Sequence, residues 1–159
     1  QTNSFQFFYF LTLQLYNFII LQLSFSIIIP VYNRPKEIDE LLTSLTKLDF
    51  EDDFEILIIE DGSSQKSDQI VEKYTSTLNV NYFYKENSGA GASRNYGMQK
   101  ASGNYFIVLD SDVIVPEHYL SEVKKALKEN YTDAFGGPDA AHQSFTALQK
   151  AMNYSMTSF

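Results

Sequence analysis

The 159-residue chain carries 20 acidic and 12 basic side chains, which gives a formal net charge of −8 at pH 7. An acidic surface repels phosphate backbones, so we expect no nucleic-acid partner. The sequence has no cysteine, which excludes disulfides and thiolate chemistry. Its two histidines, His118 and His142, lie too far apart to indicate a zinc site, and we expect both to be surface or helix residues.

Residues 1–24 differ from the rest of the chain because they are apolar, rich in aromatic side chains and uncharged. The apolar run between Phe5 and Leu23 is interrupted by amide and hydroxyl side chains, which are costly inside a bilayer. Three interpretations stay open: a membrane anchor, an apolar helix that packs on the domain or on a partner, or upstream sequence foreign to the domain. We expect the folded domain to occupy residues 25–159.

The first residue is Gln1 rather than a methionine, and the chain ends at Phe159 inside a helical pattern. We therefore expect both ends to be cuts in a longer protein.

From Phe25 onward, the sequence alternates between strand-like and helix-like patterns. In chain order up to residue 92, we predict a strand at 25–31, a helix from Pro35 to about Leu48, a strand at 54–59, a helix at 70–78, a strand at 80–84 nearer an edge, and a small-residue loop at 87–92. After this loop we predict a helix at 93–101, a strand at 105–109, a helix at 117–129, a strand at 134–135 and a last helix at 145–156. Such alternation is typical of parallel sheets with right-handed crossovers. We expect an incomplete α/β fold of Rossmann type, with a mostly parallel sheet and helices on both faces.

Small, polar and acidic residues follow each predicted strand. In open sheets of this type, ligands bind outside the carboxyl ends of the strands. The segments expected at this rim are 30–34 (PVYNR), 60–64 (EDGSS), 86–91 (ENSGAG) and 110–112 (DSD).

The pair Asp110 and Asp112 is the strongest candidate for a metal site. Both follow a buried strand, and residues two apart on an extended chain point to the same side. Two carboxylates repel each other unless a cation lies between them, and Mg²⁺ or Mn²⁺ prefers such oxygen ligands. The alternative is a solvated turn, because Asp and Ser are common turn formers.

Three further groups have a functional and a structural interpretation each. Asp61 can accept hydrogen bonds from a nucleobase or ribose, or it can cap the next helix. The 87–93 loop offers backbone amides to phosphate, and Arg94 either pairs with a diphosphate or makes a surface ion pair. Asp139, in the Gly-Gly-Pro-Asp turn, either contacts a sugar or serves only the turn.

Taken together, these segments resemble the inverting family 2 glycosyltransferases with a GT-A-type fold. The matching segments are 26–33 (SIIIPVYN), 60–63 (EDGS), 87–97 (NSGAGASRNYG) and 103–112 (GNYFIVLDSD). Their order and spacing agree over about residues 25–140.

The resemblance implies a role for each matched residue. Pro30, Val31 and Tyr32 would contact the nucleobase, and Asp61 would bond the base or ribose. Asp110 would lie near the ribose or sugar and the metal, and Asp112 would hold the metal on the donor diphosphate. Arg94 is a looser match beside the diphosphate. The general base of the family is an acid well downstream, which we expect beyond Phe159.

The resemblance also implies an activity. The enzyme would transfer a sugar from a nucleoside-diphosphate sugar to a hydroxyl of a glycan, lipid-linked or other acceptor, with inversion and with Mg²⁺ or Mn²⁺. We expect a cytoplasmic location, with membrane association left open by the first segment, and a role in polysaccharide biosynthesis. We expect the fragment to bind donor weakly and to transfer little or nothing.

Two other functions stay open at this point. A nucleotidyltransferase also combines an α/β sheet with paired carboxylates, but it usually carries a Gly-rich basic signature where this chain has residues 30–35 (PVYNRP). The second alternative is a non-catalytic binding module in which Asp110 and Asp112 only form a turn.

Overall fold

The computed structural model describes residues 6–12 and 23–136. The chain divides into two compact units, Gln1–Glu129 and Asn130–Phe159. A helix, α1, covers residues 6–12. The remaining elements are β1 Phe25–Val31, α2 Pro35–Leu45, β2 Phe54–Asp61, α3 Asp68–Glu72, β3 Val80–Lys85, α4 Ala90–Lys100, β4 Tyr105–Val108 and α5 Tyr119–Glu129.

The four strands form one sheet in the order β3-β2-β1-β4, and every pairing is parallel. The register places Phe25 of β1 opposite Phe54 of β2 and Tyr105 of β4. Parallel strands all end at the same edge, so the loops that follow them meet there. The prediction of an α/β fold with a mostly parallel sheet is confirmed, and so is the edge position of β3 within the described sheet.

One face of the sheet is covered by α4, which approaches unusually closely. Ile28, Leu57 and Ile59 form a buried cluster with side chains of α4. A Cβ added to Gly97 of α4 would lie 2.4 Å from Cγ2 of Ile28, closer than any real contact. Glycine at this position therefore lets the helix backbone lie directly on the strands.

The side chains on the opposite face are equally buried. Ile27, Ile29, Ile56 and Ile58 have no exposed surface, because alternate residues of a strand point to opposite faces and both faces are covered. Burial of each such side chain contributes roughly 1.5–3 kcal/mol relative to exposure. The apolar stripe of α2 is also fully inside, and it consists of Ile38, Leu41, Leu42 and Leu45.

A carboxylate ties the strands together at the amino ends, away from the loops just described. Oε1 of Glu55 accepts hydrogen bonds from Ser26 Oγ at 2.6 Å and from the Ser102 amide at 2.5 Å, and it lies 3.2 Å from the Gly103 amide. Burial raises the pKa of Glu55, but these hydrogen bonds outweigh it and hold the pKa below its usual value. The loop between α4 and β4 is thereby fixed to β1 and β2.

Several boundaries differ from the prediction. The fourth helix begins at Ala90 rather than at 93, and the third helix ends at Glu72 because residues 73–77 form turns. The prediction of a strand at 134–135 is wrong, since these residues belong to neither a strand nor a helix. The helix predicted at 145–156 lies outside the described residues.

The side chains of α1 are exposed, including Phe7, Phe8, Tyr9 and Phe10. No helix in the described part of the chain has the length and hydropathy needed to cross a membrane. The boundary at residue 24 remains a prediction.

Candidate functional site

A cleft of about 360 Å³ opens at the carboxyl ends of the strands. The loops that follow β1, β2 and β4 and the start of α4 all contribute to it. The lining residues are Pro30, Val31, Tyr32, Arg34, Asp61, Ala90, Asp110, Ser111 and Asp112. The structure therefore brings together six of the seven residues that the sequence singled out, and the seventh, Arg94, contacts Asp110.

The loop after β1 is held by Asn33, which has a left-handed backbone conformation with a φ of 54°. Asparagine tolerates this conformation better than most residues. Its Oδ1 accepts hydrogen bonds from the amides of Ser64 and Gln65, each at 2.9 Å. Its neighbours Tyr32 and Arg34 are thereby presented to the cleft.

A fully buried carboxylate organises the loop after β2. Glu60 accepts hydrogen bonds from Ser63 Oγ, from the Ser67 amide at 2.9 Å and from Tyr82 OH at 3.3 Å. Ser63 Oγ also accepts a hydrogen bond from the Asn33 amide at 2.8 Å. A continuous chain of hydrogen bonds thus runs from the interior to the cleft wall.

Asp61, the last residue of β2, is almost fully buried at the base of the cleft. Its carboxylate contacts the ammonium group of Lys85 and accepts hydrogen bonds from the amides of Ser88 and Gly89 at 2.9 and 2.8 Å. Burial raises the pKa of Asp61, but these bonds and the charge of Lys85 outweigh it, so the pKa lies below its usual value. Asp61 is therefore an ionised hydrogen-bond acceptor.

The loops after β2 and β3 touch at Gly62. A Cβ added to Gly62 would lie 2.6 Å from the backbone nitrogen of Asn87, and the φ of Gly62 is 72°. Asn87 Nδ2 in turn donates to the Asp61 carbonyl at 2.9 Å. Only glycine fits this close approach, which fixes the side of the cleft that holds Asp61.

The strand β4 ends at Val108, so Asp110 lies just beyond it and Asp112 lies in the turn that follows. Both nevertheless line the same cleft, and each is paired with an arginine. Arg94 Nη2 lies 2.7 Å from Oδ1 of Asp110, and Arg34 Nη1 lies 2.6 Å from Oδ2 of Asp112. Asp110 is 65% exposed and Asp112 is 53% exposed, so ligands can reach both carboxylates.

These two carboxylates fit a hard divalent cation. Each has one oxygen bonded to an arginine and a second oxygen with acceptor capacity left. Magnesium typically takes one or two carboxylates and completes its coordination with water and substrate phosphate. The described residues contain no group of three or more acidic or histidine ligands, so a cation here would take its remaining ligands from water or from substrate phosphate.

The amino end of α4 adds a favourable place for an anion. Gly89, with a φ of 89°, turns the chain into the helix, and Ala90 lines the cleft. The first amides of a helix have no partner within it and carry partial positive charge. Nearby, the Nε atom of Arg94 is buried and has no hydrogen-bond partner in the described part of the chain. The first amides of α4 are thus placed to donate hydrogen bonds to an anion in the cleft, and their use by a ligand stays a prediction.

Four residues of this arrangement were not singled out from the sequence as site residues: Asn33, Arg34, Ser63 and Lys85. Arg34 follows β1 and Lys85 is the last residue of β3. This position at the end of a strand was the sequence signal that could have indicated them as site residues. Their partners, however, are 78 and 24 residues away in the sequence, so the pairs could not be assigned.

Three further residues were considered from the sequence. His118 pairs with Asp49 on the surface through Nδ1 at 2.5 Å, as expected of a surface residue. Asp139 and His142 lie outside the described residues.

A family model described as glycosyl transferase family 2 matches residues 26–158. The poly(ribitol-phosphate) beta-N-acetylglucosaminyltransferase TarS of Staphylococcus aureus is 36% identical over 114 residues, which are 70% of this chain and 20% of TarS. The glycosyltransferase GlyG of Streptococcus pneumoniae is 30% identical over 114 residues, which are 70% of this chain and 38% of GlyG.

A solved structure gives the same match in three dimensions. The crystal structure of S. aureus TarS 1–349 in complex with UDP-GlcNAc superposes with a TM-score of 0.65 at 33% identity, over 73% of this chain and 37% of that one. The chain thus spans about a fifth of full-length TarS and well under half of GlyG.

Proposed function

The chain belongs to glycosyl transferase family 2, and from that premise we propose that it forms the donor-binding part of an enzyme that transfers a sugar to an acceptor hydroxyl. The observation that carries the proposal is the cleft itself. It combines an apolar wall, a buried ionised acceptor and two exposed carboxylates that face two arginines. Each of these features suits a different part of a nucleoside-diphosphate sugar.

The nucleoside end of the donor fits the wall made by residues 30–32 and Asp61. Pro30 and Val31 line the cleft although both are largely buried, and the exposed ring of Tyr32 can stack on a base. The carboxylate of Asp61 can accept a hydrogen bond from the base or the ribose. We assign the base and ribose to this side.

The diphosphate end fits the opposite side. Asp110 and Asp112 would hold Mg²⁺ or Mn²⁺, which when bound stabilises the negative charge that grows on the departing nucleoside diphosphate. Asp110 also lies close enough to the same cleft to contact the ribose or sugar. Arg34, Arg94 and the first amides of α4 would add hydrogen bonds to the phosphate oxygens.

The transfer itself needs a general base that takes the proton from the acceptor hydroxyl. We propose inversion at the sugar, with attack from the face opposite the leaving diphosphate. The acids of the described cleft are committed to Lys85, Arg94 and Arg34. We therefore place the base outside the described residues, and we expect the 159-residue chain to bind donor but to transfer little sugar.

We propose a uridine nucleotide as the donor. TarS, which is 33% identical in the superposed region, has been solved with UDP-GlcNAc. The acceptor would be a hydroxyl of a glycan, a lipid-linked carrier or another polymer, and we propose a role in polysaccharide biosynthesis.

Calorimetric titration of the 159-residue chain with UDP, GDP and UTP, each with and without MnCl₂, tests the proposal. We expect the tightest binding for UDP with Mn²⁺. Preference for UTP over UDP would favour a nucleotidyltransferase instead. Absence of binding by any nucleotide under either condition would reject donor binding.

A further inference from the structure

Lys85, the last residue of β3, joins several parts of the cleft wall. Its ammonium group contacts the carboxylate of Asp61 at the end of the neighbouring strand. The same Nζ donates to Ser88 Oγ at 2.5 Å and to the Glu86 carbonyl at 2.8 Å. A fourth contact, to Ser93 Oγ, is longer at 3.3 Å. An ammonium group has three protons, which the three shorter contacts can use.

The same contacts limit where Asp61 can accept another bond. Lys85 and the Ser88 amide both donate to Oδ1, whereas the Gly89 amide donates to Oδ2. A carboxylate has about four acceptor positions, so Oδ2 keeps the greater free capacity. Asp61 lines the cleft and Lys85 does not, which places Lys85 behind the carboxylate as seen from a ligand.

The pair is largely shielded from water. The side chain of Lys85 is 16% exposed and that of Asp61 is 5% exposed. Charges attract more strongly in such surroundings than at the surface. A carboxylate left there without its cation would be driven to take up a proton or to move.

We infer that Lys85 is a positioning residue for nucleotide binding. Through its contact with Oδ1, it holds the Asp61 carboxylate so that Oδ2, which has the greater free capacity, can accept a hydrogen bond from a ligand in the cleft. The inference rests on the proposed function, in which Asp61 accepts a hydrogen bond from the nucleoside. Lys85 itself makes no contact with the ligand. Its effect on affinity is therefore expected to pass through Asp61 alone.

A double-mutant cycle on UDP affinity tests this dependence. Dissociation constants are measured by calorimetry, with Mn²⁺ present, for the 159-residue chain and for Lys85→Met, Asp61→Asn and the double variant. We expect each single variant to weaken UDP binding about tenfold, as for loss of a charge-assisted hydrogen bond. The double variant should bind as Asp61→Asn does, within about twofold, because the lysine then has no carboxylate to position.

Folding is monitored in the same series by circular dichroism. Lys85→Gln, which keeps hydrogen-bonding capacity without the charge, replaces Lys85→Met in the cycle if the methionine variant does not fold. Lys47→Met serves as the matched control, because Lys47 is an exposed lysine that does not line the cleft. It should bind UDP as tightly as the unmodified chain.

The outcomes separate this inference from the function on which it rests. No UDP binding by the unmodified chain would reject the proposed function. UDP binding by the unmodified chain, with equal affinity in the Lys85 variant, would overturn the positioning role alone. Losses that multiply in the double variant would also overturn it, because Lys85 would then act independently of Asp61.

Discussion

Arg34 Nη1 lies 2.6 Å from Oδ2 of Asp112, so a side chain of the loop after β1 neutralises the second carboxylate of the Asp-Ser-Asp segment. The two residues are 78 positions apart in the sequence. Both are about half exposed, and an ion pair in that setting contributes little to folding, about 0.2–1 kcal/mol. The positive charge of Arg34 therefore lies beside the carboxylate that is proposed to bind a divalent cation.

Replacement of Arg34 by glutamine is therefore expected to tighten the binding of Mn²⁺ in the absence of nucleotide, by up to about fivefold, because the competing cation is gone. Electron paramagnetic resonance of free Mn²⁺ measures the change. Lys47→Gln removes an exposed positive charge away from the cleft and should leave the affinity unaltered. Unchanged or weaker Mn²⁺ binding by Arg34→Gln would contradict the competition.

Asp112→Ala should abolish the part of UDP-induced stabilisation that depends on Mn²⁺. At a UDP concentration about 100 times the Kd, binding raises the free energy of unfolding by about 2.7 kcal/mol. Thermal unfolding with UDP, with and without MnCl₂, gives the metal-dependent part. Asp53→Ala, at an exposed aspartate outside the cleft, is the control. Persistence of the Mn²⁺ effect in Asp112→Ala would remove this carboxylate from the metal site.

Gly97→Ala should destabilise the fold by about 1–3 kcal/mol, because the new methyl group would lie 2.4 Å from Ile28 Cγ2 and would force α4 away from the sheet. Gly91→Ala is the matched control in the same helix, where an added Cβ meets nothing within 4 Å. It should stabilise by up to about 1 kcal/mol through helix propensity. Urea unfolding measures both, and equal effects of the two substitutions would show that the close approach is not maintained in solution.

Ser63→Ala should cost about 1–3 kcal/mol of stability, because it leaves a buried Glu60 oxygen and the Asn33 amide without their shared partner. UDP affinity should fall as well, since Asn33 holds the loop that carries Tyr32. In Ser64→Ala, Asn33 keeps the backbone amide bond from residue 64 and loses only an exposed hydroxyl at 3.1 Å. That variant should change stability by less than about 0.5 kcal/mol. Similar losses in both variants would argue against the buried chain of hydrogen bonds.

The contribution of Glu55 should depend on pH. Its pKa in the folded state is lowered from 4.5, so the stability that it adds is present above that value and is lost as the pH falls through the folded pKa. Glu55→Gln should cost about 1 kcal/mol at pH 7 and progressively less below pH 4.5. Urea unfolding across this range measures the difference. Glu51→Gln, at an exposed acid, should show no such trend, and a pH-independent cost for Glu55→Gln would contradict the linkage.

The sequence predicted β1 and β2 well because both faces of these strands are buried and they read as short apolar runs. The strand β4 was expected to be buried too, but it exposes Phe106 and Val108 on one face. The sequence predicted the cleft residues because carboxyl ends of parallel strands meet at one edge, and Asp61 and Asp110 both follow such runs. The start of α4 was placed three residues late because its Gly and Ala residues were taken for a loop. Gly89 and Ala90 instead begin the helix at the cleft.

The ion pairs could not be predicted from the sequence, for a different reason. The pairing of Asp61 with Lys85 depends on the register between β2 and β3, which places the two residues side by side. Periodicity predicts which face a residue occupies, but it does not give the offset between strands. The strand expected at 134–135 failed because two apolar residues carry too little pattern to distinguish a strand from an irregular segment.

The three ion pairs around the cleft have a joint consequence for what can enter it. Each acid that lines the described cleft has a basic partner, so the charges of the cleft nearly cancel although the chain as a whole carries −8. Under the proposed function, a nucleoside diphosphate that arrives alone would bring surplus negative charge into an acidic protein, and a lone divalent ion would be repelled by the two arginines beside its ligands. When the two enter as one complex, their charges would largely cancel. The guanidinium groups released from the carboxylates would then donate hydrogen bonds to phosphate oxygens. If the proposed function holds, the near neutrality of the cleft would thus favour the metal–nucleotide complex over either component.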